Sequence, residues 1–375
     1  MSRKGKKRQQ RYFAEHCALC GQKFPKLILG STGYGVCPSC LGAAGKLARM
    51  KPPETPAETA STGILTPQEI LFELNKTIIG QEEAKAAISI AFWKQQLKAS
   101  GVPSVPRSTL LLYGPTGCGK TAIAREAVRI VGLPFVHFDA TSLSEAGYRG
   151  RDADEMVTDL VAAFKNHKQL PYGVIFLDEM DKLSAKGSEQ RMAYAKGTQH
   201  SLLRLIEGME VRAEGKVINT ENLLFIFGGA FTGIGPRAVE RHMNPIGFGV
   251  KPTPVDTRPR AIDTEDFISY GMEPELMGRI TQKVGLAPLT RADLKRILLD
   301  AENSVLKQYQ KFFFDQGIQL QISPKRVEQL IDEAEALGSG ARGLQTAVEN
   351  MVQPLLVRLA EGRTQGGTWE IEGSA

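Results

Sequence analysis

The chain has 375 residues, 42% of them hydrophobic and 23% charged, a balance that supports packed cores and excludes wholesale disorder. Lysine and arginine outnumber aspartate and glutamate by 47 to 41, but Arg3, Lys4, Lys6, Lys7, Arg8 and Arg11 all precede the first acid, so the remainder is balanced at 41 against 41 and does not demand a nucleic-acid partner. The longest conspicuous apolar stretch, Leu223 to Phe227 followed by Gly228-Gly229-Ala230-Phe231, is well short of the roughly 20 residues of a membrane span.

Residues 1–12 read as a solvated basic tail, and no apolar secretory segment follows them, so a cytoplasmic location is the expectation. Residues 13–50 form a separate module. Cys17-Ala18-Leu19-Cys20 and Cys37-Pro38-Ser39-Cys40 are two CxxC pairs with sixteen residues between them. Each pair turns both sulfurs toward one ion, and the intervening chain can form the hairpin that completes a tetrahedral site. Thiolates favour Zn2+, although an iron centre shares this spacing. A site closed by cysteines supplies folding energy to a small module and leaves no position for activating water. His16 adjoins the first ligand but the four sulfurs already fill the shell. Residues 51–66, opening Lys51-Pro52-Pro53-Glu54-Thr55-Pro56, carry no apolar periodicity and read as a linker.

From Pro67 the pattern is helical, with Ile70, Leu71, Leu74, Ile78 and Ile79 as apolar positions and a second helix after Gln81. Thr109 to Tyr113 reads as a buried strand, and Gly114-Pro115-Thr116-Gly117-Cys118-Gly119-Lys120-Thr121 then fits GxxxxGK[ST] between that strand and a helix. Its glycines let backbone amides turn toward phosphate, Lys120 reaches the terminal phosphates and the Thr121 hydroxyl helps hold Mg2+. Cys118 is expected to be structural. A second strand, from Tyr172-Gly173-Val174 through Leu177, ends in Asp178-Glu179 at the carboxyl edge where such sheets display ligands. Asp178 suits the magnesium shell and Glu179 the polarisation of attacking water, so ATP hydrolysis is the implied reaction.

Phe135 to Phe138 and Leu223 to Phe227 are further strand candidates. Together these elements predict a three-layer α/β nucleotide-binding domain over 67–287 and a smaller, mainly helical domain over 288–375. In the latter, Ala292 to Leu306 and Pro324 to Leu337 show recurring apolar positions, and Leu344, Val348, Met351, Leu355, Leu356 and Leu359 form a stripe expected to face a core.

The ordered series of motifs resembles the ClpX family of AAA+ protein unfoldases over nearly the whole chain. It comprises the four-cysteine module, Ile78-Ile79-Gly80-Gln81, the phosphate loop, Asp139 to Leu143 with Glu145 to Tyr148, and Phe176 to Lys182. Leu205 to Gly208, Gly228 to Phe231, Pro274 to Arg279 and Gly340 to Leu344 continue it.

That resemblance implies a homo-hexameric ring with nucleotide between neighbours and a protein substrate passing along the axis. It implies that Ile78 and Ile79 contact adenine, that Arg342 reaches the phosphates from the small domain, and that Arg279 reaches a neighbour's nucleotide. Tyr148, within Gly147-Tyr148-Arg149-Gly150, would grip substrate, with Arg149 replacing the family's usual apolar residue. Ile246, Gly247 and Phe248 match the loop that docks on the ClpP peptidase. The zinc module is implied to bind substrates or adaptors. Ala185 to Lys196 would occupy the second pore loop, a weak match, and Glu210 to Asn222 is shorter than the family's entrance segment and lacks its basic motif. The reading is therefore an ATP-driven unfoldase feeding a peptidase, with a protease-independent disassembly chaperone as the alternative. A metal-bearing DNA-binding protein with a regulatory ATPase finds no base-reading helix or basic stripe, and direct nucleic-acid binding is not expected.

Overall fold

The computed structural model describes residues 17, 22–23, 27–29, 35–40, 63–143, 152–164, 167–186, 188–234, 262–361 and 367–372. The chain separates into two compact units, Met1–Gly63 and Ile64–Ala375. In the first unit, β1 (Ile28–Leu29) and β2 (Gly35–Val36) pair antiparallel between the two CxxC pairs, where the cysteine spacing calls for a hairpin.

The second unit opens with α1 (Pro67–Thr77), whose start is set by a capping box in which Thr66 and Glu69 each bond the other's backbone N–H. Then follow α2 (Glu82–Ala99), β3 (Thr109–Tyr113), α3 (Lys120–Val131), β4 (Phe135–Asp139) and α4 (Glu155–Phe164). After these come β5 (Val174–Asp178), α5 (Glu189–Glu207), the antiparallel pair β6 (Glu210–Ala213) and β7 (Lys216–Asn219), and β8 (Leu224–Gly229). Two short helices, α6 (Thr264–Tyr270) and α7 (Pro274–Arg279), lead to β9 (Gln282–Gly285).

The main sheet has the order β4-β5-β8-β3-β9 with every neighbouring pair parallel. Alternate residues of its central strands enter different cores: Leu111, Ile175, Leu177, Phe225 and Phe227 pack with α4 to α7. Leu110, Leu112, Val174, Phe176, Leu224 and Ile226 pack on the other face with α1 to α3. Burial on both faces explains why these strands read as unbroken apolar runs in the sequence. The sheet with helices on either side is the expected three-layer α/β body.

The remaining elements are α8 (Arg291–Leu299), α9 (Val305–Asp315), β10 (Ile318–Ile322), α10 (Pro324–Ala336), α11 (Ala341–Ala360) and β11 (Gly367–Ile371). They share a third core that includes Leu294, Phe313, Leu330 and Val352. The helical stripe over 292–306 is two helices, α8 ending at Leu299 and α9 beginning at Val305 after Ser304, whose hydroxyl donates to the Leu298 carbonyl. The parallel pair β10 and β11 was not legible as a sheet, since its partners lie far apart in sequence. Of the C-terminal stripe, Leu344, Val348 and Met351 are buried, while Leu355, Leu356 and Leu359 pack at the margin of the same core. Most of the interval 185–196 lies in α5, which begins at Glu189. No helix among the described residues is long and apolar enough to cross a membrane.

Candidate functional site

The phosphate loop leaves the carboxyl end of β3 and enters α3. Glycine is obligatory at two of its positions: a Cβ on Gly114 (φ 149°) would lie 2.4 Å from the Leu286 carbonyl oxygen, and one on Gly117 (φ 76°) 1.9 Å from that of Ser339. Helix α3 starts at Lys120 after left-handed Gly119, with no side chain capping its first N–H groups and no acid in its first turn. Its positive end is therefore available to an anion. Lys120 is buried, its Nζ donating to the carbonyl oxygens of Gly114 at 2.7 Å and Pro115 at 3.0 Å.

Strand β5 carries Asp178 to the same end of the sheet. The Thr121 hydroxyl donates to Asp178 Oδ2 at 2.8 Å, and the Glu179 N–H donates to Oδ1 at 2.9 Å. A hydroxyl and a carboxylate so joined are the hard oxygen donors that Mg2+ takes. Glu179 leaves the strand in the left-handed region (φ 57°), unfavourable for a residue with a side chain. Strand β8 lies between β3 and β5, and there Gly228 cannot be replaced at no cost: its Cβ would sit 2.8 Å from Asp178 Oδ1.

A cavity of about 540 Å3 is lined by Thr116, Gly117, Lys120, Thr121, Asp178 and Glu179 together with Arg342 and Gln345 of α11. The C-terminal helical segment is thus part of the site. The Ala341 N–H donates to the Gly117 carbonyl at 3.2 Å, which seats the start of α11 on the phosphate loop.

Ile78 and Ile79 are buried and neither lines this cavity; Ile78 packs in the core of α1 to α3, and its carbonyl accepts from the buried Lys85 Nζ at 3.4 Å. Cys118 is also buried, and burial pushes its thiol above the ordinary range against the opposing pull of Lys120, so it is held as the unreactive thiol. Arg279 does not line the cavity; its guanidinium meets Glu207 Oε1 at 2.6 Å. Tyr148, Arg149, Ile246, Gly247 and Phe248 lie outside the described residues.

Sequence reasoning missed His137, which also lines the cavity. Its Nδ1 is 3.2 Å from Arg125 Nη2 and its Nε2 3.9 Å from Asp178 Oδ2. A guanidinium only donates, so Nδ1 accepts and the neutral ring carries its proton on Nε2. Burial, reinforced by the Arg125 charge, lowers the ring's pKa against the pull of Asp178 and Asp139. The available signal was strand periodicity, which puts His137 and Asp139 of β4 on one face.

In the amino-terminal unit, the sulfurs of Cys17, Cys37 and Cys40 all lie within 4.8 Å of one another. The Cys37 N–H donates to Cys17 Sγ at 3.3 Å and the Cys40 N–H to Cys37 Sγ at 3.4 Å. Tetrahedral zinc with Zn–S bonds of about 2.3 Å separates its sulfurs by roughly 3.8 Å, so the trio suits such an ion. Cys20, the fourth cysteine of the motif, lies outside the described residues.

A family model described as the AAA domain (Cdc48 subfamily) matches residues 105–283, and one described as the C-terminal, D2-small domain of ClpB protein matches residues 289–369. The chain is 32% identical to the ATP-dependent Clp protease ATP-binding subunit ClpX of Azotobacter vinelandii, over 92% of this chain and 86% of that protein. It is likewise 32% identical to the subunit of that name from Porphyromonas gingivalis, over 93% of this chain and 92% of the relative. With the Treponema denticola subunit the identity is 32%, over 90% and 88% of the two chains.

Proposed function

Because this chain belongs to the ClpX family of AAA+ ATPases, we propose that it is the motor of an ATP-dependent unfoldase, a homo-hexamer that threads proteins through its pore into a ClpP-type peptidase. The protein is an ATP-hydrolysing enzyme, and cleavage of peptide bonds is assigned to the partner. The observation that carries the reading is one cavity shared by the phosphate loop, the Asp178–Glu179 pair and Arg342. Nucleotide held there touches both the α/β body and the C-terminal helices, which is what turning hydrolysis into movement requires. A cytoplasmic setting belongs to the same reading.

In this assignment Gly114, Pro115, Thr116, Gly117, Cys118, Gly119, Lys120 and Thr121 cradle the phosphates, with Lys120 exchanging its loop carbonyls for phosphate oxygens. Ile78 and Ile79 hold the base from the carbonyl-bonded turn after α1. Mg2+ bound by Thr121 and Asp178 supplies neutralisation of phosphate charge. Glu179 takes the proton of the attacking water, while Arg342 steadies the charge that develops.

The test is ATP-dependent loss of a folded substrate's fluorescence together with peptide release in the presence of cognate ClpP. On the family's pattern, Tyr148→Ala abolishes unfolding while ATP hydrolysis persists, since it removes the surface that grips the substrate. Phe248→Ala leaves unfolding intact and lowers peptide release. Losing an aromatic anchor at a hot spot costs about 2 kcal/mol, roughly 30-fold in affinity for the peptidase. Parental peptide yield from Phe248→Ala at limiting ClpP refutes the docking assignment and favours the protease-independent disassembly chaperone.

The cysteine module is proposed to bind one Zn2+ through Cys17, Cys20, Cys37 and Cys40 and to present substrates or adaptors to the ring. Freshly purified, reduced full-length protein is expected to contain stoichiometric zinc by elemental analysis. A chelator selective for transition metals over magnesium should unfold this module without reducing ATP hydrolysis, because the ATPase core is a separate unit. Absence of stoichiometric metal rejects the assignment.

A further inference from the structure

Gln81 stands where three parts of the ATPase meet. It follows Ile78 and Ile79, precedes the first residue of α2, and its backbone is left-handed at φ 60° and ψ 42°, a region that residues with side chains rarely occupy. Both the nitrogen and the oxygen of its side-chain amide are engaged. Oε1 accepts from the Ala287 N–H at 3.0 Å, and Nε2 donates to the Ala287 carbonyl at 2.8 Å and to the Cys118 carbonyl at 3.2 Å. Cys118 belongs to the phosphate loop. Ala287 lies in the connection between β9, the last strand of the main sheet, and α8, the first helix of the C-terminal segment.

That connection is already fastened to the loop's root, since the Leu286 N–H donates to the Tyr113 carbonyl at 2.7 Å. Successive loop carbonyls are consequently held from the C-terminal side. Gly117 is bonded by Ala341 directly, and Cys118 is bonded through Gln81 to Ala287. Only a carboxamide serves here. Glutamate could accept from Ala287 but not donate to the two carbonyls, and lysine or arginine could donate but not accept. When the loop's peptide units reorient around phosphate, the amide must either carry Ala287 with them or break its bonds.

We propose that Gln81 is a positioning residue that couples the conformation of the phosphate loop to the orientation of the C-terminal helical segment, transmitting nucleotide state between them. The proposal rests on the ATPase reading above. It is tested separately, because the parental chain must first hydrolyse ATP for any coupling to be sought.

The experiment uses the assembled full-length chain, with keto-bearing unnatural residues at exposed Val102 and Val357 for spin or fluorophore labels and with labelled chains diluted among unlabelled ones. The distance distribution between these sites is compared in ADP and in a non-hydrolysable ATP analogue for the parent, Gln81→Ala, Gln81→Glu and Gln81→Gly. The parent is expected to shift between the two nucleotides, and the shift to fall to less than about half in all three variants. Affinity for a fluorescent nucleotide should change by less than about three-fold, unlike the loss expected of Lys120→Ala.

Gln81→Gly separates the amide from the strained backbone, because glycine adopts the left-handed region freely. Should Gln81→Ala fail to assemble, the glycine variant carries the same test. A parental shift in Gln81→Gly overturns the proposal, as does a parent whose distances ignore nucleotide, or a loss of affinity in Gln81→Ala equal to that of Lys120→Ala.

Discussion

Glu179→Gln is expected to bind ATP like the parent and to lose turnover by about 10²–10⁴-fold, the usual contribution of a positioned general base. The structure separates the two effects. Asp178 keeps both of its oxygens occupied in the variant, because Thr121 reaches Oδ2 at 2.8 Å and the contact from residue 179 to Oδ1 at 2.9 Å is made by backbone N–H. Glutamine fills the same volume and meets the same left-handed backbone at φ 57°. The only group withdrawn is the carboxylate that takes the proton. Phosphate release measured alongside binding of a fluorescent ATP analogue decides the matter. Near-parental hydrolysis by a purified, assembled variant removes Glu179 from that role.

Arg279→Ala should cost about 10³–10⁵-fold in hydrolysis, the range of an arginine supplied to a phosphoryl-transfer site, while nucleotide affinity changes little. Arg279 does not line its own chain's cavity. It lies just before β9, whose Gln282 pairs with Leu110 near the start of β3, whereas the phosphate loop follows that strand's other end. Four residues of strand, Leu110 to Tyr113, at about 3.3 Å each, separate that pairing from the phosphate loop by roughly 13 Å. In the single chain the guanidinium rests on Glu207 at 2.6 Å, with 59% and 41% of the two side chains exposed. A pair so solvated contributes about 0–1 kcal/mol and yields readily to a phosphate on another subunit. Mixing excess Arg279→Ala with Glu179→Gln provides the measurement. If Arg279 acts across the subunit boundary, mixed rings contain interfaces with both groups intact and regain ATPase activity. No rescue in rings shown to be mixed makes that placement untenable.

Much of the site was legible because its chemistry is written in contiguous residues. Gly114 to Thr121 must be continuous, since one loop's amides and one helix start form the cradle, and Asp178-Glu179 must end a strand. The strands themselves were legible as apolar runs because both sheet faces are buried, and the cysteine pairs because a CxxC spacing keeps its two cysteines close along the chain, as Cys37 and Cys40 are in the three-sulfur cluster with Cys17. Helix boundaries in the C-terminal segment were less so: α8 stops at Leu299 and α9 starts at Val305, a short break that leaves apolar periodicity almost undisturbed.

Tertiary structure decided how groups from distant segments share the cavity, where the family resemblance had already implied Arg342. It placed β8 between the two motif-bearing strands, so that Gly228 must be bare beside Asp178, and it set Ala341 and Arg342 against a loop more than two hundred residues away in sequence. It brought His137 to Asp178 through the pairing of β4 with β5. It also joined Gln81 to Cys118 and Ala287. Several of these contacts end on backbone amides or carbonyls, which every residue type offers alike, and they link positions far apart in the chain. Periodicity and spacing record what a segment does for itself; a hydrogen bond to a distant peptide group leaves no mark in them, and only the folded sheet order specifies it.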